Sequence, residues 1–207
     1  YRNQGKKVFV TTTTHMYEEP ECILSGNVEE IVAKLNTCGY CMAGLSAENR
    51  KIKALSLEVY EAVCEYADIV LVEADGSKGK PVKFPAEHEP VIPENVDEIH
   101  IVTGLCAVGK SLKEVCHRKE LVQKCLGVSE DTILTKEHLE ILLQKGYVEP
   151  MKKEYPKAAL KIFFNASVAV KVNQKLISDG EISVDNEKIT NYIKWLDGQV
   201  RFIKEYM

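Results

Sequence analysis

Four short apolar runs rich in β-branched residues punctuate the chain: VFVTTT (8–13), IVLVEA (69–74), IHIVT (99–103) and KIFF (161–164). Continuous apolar runs of this length, without the polar alternation of a half-exposed strand, predict strands covered on both faces. Between the first two, Leu55, Val59, Ala62, Val63 and Tyr66 recur at helical spacing, and VEEIVAKL (28–35) predicts a shorter helix. This is βαβ order. It predicts an α/β fold, a doubly wound and mainly parallel sheet whose ligands bind beyond the carboxyl ends of the strands. Further on, Ile189, Ile193, Leu196, Val200 and Ile203 step by four, three, four and three, which predicts a C-terminal helix. With no repeat and no Gly-, Ser- or Pro-rich linker, residues 1–207 read as a single α/β domain. The stretch 76–98 stands apart: it has no periodicity and carries prolines 81, 85, 90 and 93. Long unpatterned loops in compact domains are usually functional.

Charge and cysteine usage narrow the class. Lys and Arg number 27 against 31 Asp and Glu, a net charge of −4. That balance argues against general electrostatic affinity for nucleic acid or anionic lipid, so any anion site must be local. No apolar run approaches the ~20 residues that span a bilayer, and no membrane partner is expected. The seven cysteines (22, 38, 41, 64, 106, 116, 125) are an odd number and scattered, which predicts a reduced, cytoplasmic protein. The chain opens at Tyr1 without Met, and Gly5-Lys6-Lys7 runs into the first strand as a helix end and tight turn would.

Candidate chemistry gathers at the strand ends. In ADIVLVEADGSKGKPVKFP an acidic pair, Glu73 and Asp75, closes an apolar strand and Gly76 follows. An acidic residue there holds Mg²⁺ in phosphoryl-transfer proteins, directly or through water, and a following Gly admits a backbone N–H to the terminal phosphate. Lys78 and Lys83 add positive charge. The plainer alternative is that Glu73 and Asp75 only cap a turn. Thr11, Thr12, Thr13 and Thr14 likewise either present hydroxyls to phosphate oxygens or Mg²⁺-bound water, or reflect the preference of Thr for strands.

Gly104–Ser111 (GLCAVGKS) satisfies G-x-x-x-x-G-K-[ST], follows a strand and precedes a possible helix. Its order is wrong, because a phosphate loop precedes the acidic strand and this one comes about thirty residues after it. We therefore read it as a coincidence. Cys38-x-x-Cys41 has no second pair to close a zinc site, although Cys22 and His15 are candidates, and no zinc is expected. His117-Arg118 opens a polar helix, where an anion could sit or the face could simply be solvated. His100 reads as a strand residue and His138 as a surface one.

The segments KKVFVTTTTHM, VLVEADGSKGKPVKFPAEHEPVIP, VTGLCAVGKSL and CHRKE, in this order, resemble the selenium-dependent hydroxylase accessory proteins of the YqeC family, up to about Asn165. VEADGSKG followed by EHEPVIP is the most specific part. The resemblance implies a P-loop NTPase-like fold, a cytoplasmic location and a role in maturing selenium-dependent molybdenum hydroxylases. In that family a G-x-G-G-K-[TS] loop precedes the TTTT strand, so an N-terminal strand and that loop are expected upstream of Tyr1. Such proteins also tend to show N-[KQ]-x-D after the last strand, where this chain has FFNAS.

On this reading the protein binds ATP or GTP with Mg²⁺ and acts on a client molybdenum hydroxylase or another selenium-pathway protein. Glu73 and Asp75 serve Mg²⁺ and a water, Gly76 the terminal phosphate, and Thr11 to Thr14 hydroxyl contacts. Ser77, Lys78, Gly79, Glu87, His88, Glu89, His117 and Arg118 line the adjoining loop. A non-catalytic assembly factor that binds its client or a molybdopterin-type cofactor is a different class, and a selenium or sulfur carrier using Cys41 or Cys106 is a third.

Overall fold

The structure, a computed structural model, describes residues 1–165. The C-terminal helix expected over 189–203 and the residues after Asn165 lie outside that range. The chain is mixed α/β with mainly parallel strand pairing, and it divides into two compact units. The first comprises Tyr1–Val96 and His117–Val122, the second, among the described residues, Asp97–Cys116 and 123–165.

The first unit is built on a parallel sheet of β1 (Val8–Thr12) flanked by β3 (Tyr40–Met42) and β6 (Ile69–Glu73). Between them in sequence, β2 (His15–Tyr17), β4 (Leu45–Ala47) and β5 (Lys51–Lys53) form a small antiparallel sheet in the order β2-β5-β4. Helix α1 (Val28–Cys38) starts where Asn27 accepts the Glu30 N–H, and stops at Gly39, whose φ of 65° is left-handed backbone that costs glycine little. Helix α2 (Leu57–Cys64) starts at the Ser56 cap. The predicted helical stripe is thus trimmed at both ends: Leu55 lies before the cap but packs on the core, while Tyr66 lies beyond the helix and is exposed.

Parallel register places Phe9 beside Cys41 and Val70, so these three share one sheet face. Ile31 and Leu35 of α1 and Val63 of α2 close over Phe9 and Cys41, together with Ile23 and Ala43. Burial of this face positions the site, because it pins the carboxyl ends of β1 and β6 side by side, Thr12 opposite Glu73. A two-residue strand, β7 (Val82–Lys83), is the one regular element within 76–97.

In the second unit β8 (Glu98–Gly104) pairs in parallel with β10 (Ala159–Asn165) through seven residues. Between them come α3 (Leu112–Val115), β9 (Cys116–His117), through which the chain re-enters the first unit, and α4 (Lys119–Leu126). Helix α5 (Lys136–Leu143) then runs through a π turn into α6 (Glu149–Glu154). His138 serves the N-terminal capping box of α5 with Thr135, and His100 pairs with Glu98. The expectation of strands covered on both faces is corrected here. Leu71 in β6, Val102 in β8 and Phe163 in β10 are 45%, 62% and 44% exposed, because a short apolar run does not reveal which face finds a neighbour. Among the described residues no helix is long and apolar enough to cross a membrane.

Candidate functional site

The carboxyl ends of β1 and β6 carry the polar residues of interest, and the structure sorts them. Thr11 and Thr12 are 2% exposed. Thr12 Oγ1 donates to the Glu73 carbonyl at 2.8 Å, and Thr13 Oγ1 donates to the Val91 carbonyl at 2.5 Å. Both hydroxyls therefore stitch the sheet end rather than face outward. Thr14 is placed differently: its N–H donates to Thr12 Oγ1 at 2.9 Å, and its hydroxyl lies beside Gly76. A methyl added at Gly76 would sit 3.8 Å from Thr14 Oγ1 and 3.6 Å from Glu73 Oε1. Glu73, Thr14 and Gly76 thus converge on one spot. Burial and the neighbouring Asp75 raise the Glu73 carboxyl above the usual carboxylate range, with Lys51 acting the other way.

Asp75 has a different environment. Its side chain is 16% exposed and pairs with the ammonium of Lys83, itself 3% exposed. This corrects the picture of Asp75 as a carboxylate open to a metal ion at an exposed strand end. The cause is the loop after β6, which folds back and delivers Lys83 to it. Lys83 Nζ also donates to the Gly76 carbonyl at 3.1 Å and pairs with Glu89 Oε2 at 2.9 Å. Arg118 grips the same carboxylate in two-pronged fashion, Nε to Oε2 at 2.8 Å and a terminal nitrogen to Oε1 at 2.6 Å. Burial alone would raise Glu89, but hydrogen bonds from Arg118, the Ala86 N–H and Lys83 outweigh it and bring the carboxyl down to about 2.

His117 is half-buried, and burial together with Lys83, Lys78 and Arg118 lowers its pKa below the ordinary value, so the ring is neutral near pH 7. Ser77 closes a tight turn with Lys80, and within it Lys78 and Gly79 are exposed. Glu87 and His88 point to solvent. The structure therefore brings together Glu73, Thr14 and Gly76 at one point, and Asp75, Glu89 and Arg118 around Lys83. Lys83 is the residue that sequence reasoning undervalued, as mere added charge. Its signal was the company it keeps in PVKFP, an apolar context in which a lysine must bury and find partners.

The phosphate-loop match at Gly104–Ser111 is occupied by its own backbone. The N–H groups of Val108, Gly109 and Lys110 donate to Leu105, Leu134 and Ala107 carbonyls at 3.1, 2.9 and 3.2 Å, and the helix that follows has four residues. A phosphate cradle needs those amides free to meet the ligand. Lys110→Ala is accordingly expected to change nucleotide affinity less than about twofold, whereas a true phosphate-loop Lys would cost about 2 kcal/mol, roughly thirtyfold, by titration calorimetry.

A family model described as YqeC protein matches residues 1–120. The chain belongs to the YqeC family. Every residue of the two clusters, through Arg118, lies within the matched span. The uncharacterized protein YqeC of Escherichia coli (strain K12) is 26% identical over 174 residues, 77% of this chain. The chain spans 65% of the length of that relative. No solved structure gives a significant match.

The residues fit a Mg²⁺–nucleotide only in part. Among the described residues no group of three or more His, Cys, Asp or Glu is arranged to hold a metal ion. Mg²⁺ does not require such a cage, since it commonly takes one or two carboxylates and completes its shell with phosphate oxygens and water. Glu73 beside Thr14 suits that role, whereas Asp75 is engaged by Lys83.

Proposed function

We propose that this YqeC chain binds ATP or GTP with Mg²⁺ on a P-loop NTPase-type sheet, as part of a cytoplasmic accessory protein that matures selenium-dependent molybdenum hydroxylases. The observation that carries the reading is the convergence of Glu73, Thr14 and Gly76 beyond the carboxyl ends of two adjacent parallel strands, where α/β sheets receive ligands. Glu73 would hold Mg²⁺, directly or through water, with Thr14 supplying a hydroxyl. Gly76, with no side chain, would let a backbone N–H approach the terminal phosphate. Mg²⁺ supplies charge neutralisation between phosphates. Lys78, exposed in the turn two residues beyond Gly76, would add positive charge for an anion there.

The carrier reading loses support at Cys41, one of the two cysteines it named. Cys41 is fully buried and burial pushes its thiol up to about 11, as it does for the half-buried Cys22, so neither is a thiolate near neutral pH. Cys38 is exposed while Cys41 faces the core.

Titration calorimetry of the full-length protein with ATP and GTP, with and without Mg²⁺, tests the proposal. Saturable, Mg²⁺-dependent heat is expected. No heat with either nucleotide at millimolar concentration would remove it and favour an assembly factor that binds the client hydroxylase or its molybdopterin-type cofactor without hydrolysis.

A further inference from the structure

An ammonium group has three N–H donors, and Lys83 spends them on three oxygens: Asp75 Oδ1, the Gly76 carbonyl and Glu89 Oε2. Asp75 and Gly76 lie just beyond β6, and Glu89 lies in the middle of the proline-rich loop. Glu89 also accepts the Ala86 N–H at 3.0 Å and holds Arg118, 29 positions further along the chain. Two further bonds tie the same loop to the sheet at Val91: its N–H donates to the Ala74 carbonyl at 3.1 Å, and Thr13 Oγ1 donates to its carbonyl. Arg118 has a φ of 56°, a left-handed backbone that a non-glycine residue keeps only where its surroundings hold it. Two carboxylates and two cations make this set neutral within itself.

We propose that Lys83 is a positioning residue which, with Arg118, locks the 74–91 loop against the carboxyl end of the sheet, and that Asp75 belongs to this lock and not to the metal-binding set. The inference deepens the nucleotide reading and rests on it for the second half. A divalent cation on Asp75 would sit beside the buried Lys83 ammonium that the same carboxylate holds, and repulsion between two positive charges with little water to screen them disfavours Asp75 as a metal ligand. Glu73 stands outside the neutral set, next to Thr14 and Gly76. The lock thus keeps the backbone around Gly76 in place, through the bond from Lys83 to the Gly76 carbonyl.

Two readouts test it. In hydrogen exchange by mass spectrometry, peptides from 74–91 are expected to exchange at least about tenfold faster in Lys83→Met. Adding Asp75→Asn removes the negative charge that faced Lys83 and should bring exchange back to within about threefold of wild type. If Lys83→Met does not fold, Arg118→Gln opens the outer pair and reports the same loop. Unchanged loop exchange in the single variants, or no rescue in the double, would overturn the lock. In the second readout, Mn²⁺ is titrated in the presence of ATP and followed by electron paramagnetic resonance. Glu73→Gln should weaken Mn²⁺ retention at least about tenfold without altering loop exchange, while the Asp75→Asn, Lys83→Met double variant stays within about threefold of wild type. Equal loss in the double variant and in Glu73→Gln would make Asp75 a ligand and overturn its assignment to the lock. If wild type retains no Mn²⁺ with ATP, the nucleotide reading fails, and the exchange readout still decides the lock.

Discussion

Lys83→Met should destabilise the protein by about 3–5 kcal/mol, read as a lower urea midpoint with an unchanged slope. Met matches the length of the lysine stem, so little packing is lost; what remains is a buried Asp75 carboxylate that has lost the Lys83 ammonium and a Glu89 whose remaining ion-pair partner is Arg118. Leaving a buried charge uncompensated costs far more than the ion pair contributed in net terms, because the pair had already absorbed the desolvation of both groups. For the same reason the Asp75→Asn, Lys83→Met double variant should recover a large part of the loss. Arg50→Gln is the internal comparison. Its pair with Glu18 is made by a side chain 78% exposed, where water and salt screen the attraction, and its loss should scarcely move the midpoint. A Lys83→Met protein as stable as wild type would show that the lock carries no energy.

Acid should weaken the same loop, in a direction that Glu89 dictates. Its carboxyl falls from 4.5 to about 2 in the folded protein, since the bonds from Arg118, Ala86 and Lys83 outweigh the burial that would raise it. The folded state therefore binds fewer protons than the unfolded chain over this interval. The stabilisation is complete above about pH 4.5 and is lost as pH falls from there toward 2. With water reaching part of the site, the amount is about 1–2 kcal/mol. His117 contributes in the same sense at higher pH: burial and three nearby cations hold it below 6.5, so stability it lends while neutral fades as acid charges it. Urea midpoints between pH 7 and 3 should fall in two stages, and Glu89→Gln should flatten the lower one. A Glu89→Gln protein that keeps the full wild-type slope below pH 4.5 would remove Glu89 as its source.

Local pattern was enough for the parts of this protein that local physics decides. β-branched runs at 8–13 and 69–74 became strands at Val8–Thr12 and Ile69–Glu73, and VEEIVAKL became the core of α1, bounded by the Asn27 cap and Gly39. Because both strands run the same way, their polar ends had to meet, and Glu73, Thr14 and Gly76 could be placed at one sheet edge from the sequence. Family membership was legible from VEADGSKG and EHEPVIP and agrees with the match over residues 1–120.

The division of labour between Glu73 and Asp75, two residues apart, came only from tertiary structure. Nothing periodic in 76–98 says where its side chains go. The path of that loop put Lys83 against Asp75, turned Glu89 inward while Glu87 and His88 stayed in water, and brought in Arg118 from 29 positions beyond Glu89. Exposure of Leu71, Val102 and Phe163 was likewise undecided by their apolar runs, since hydrophobicity states what a residue tolerates and only packing states what covers it. Short-range rules determine elements and their ends. Pairing of charges between distant segments depends on desolvation and loop geometry, and those exist only once the chain has folded.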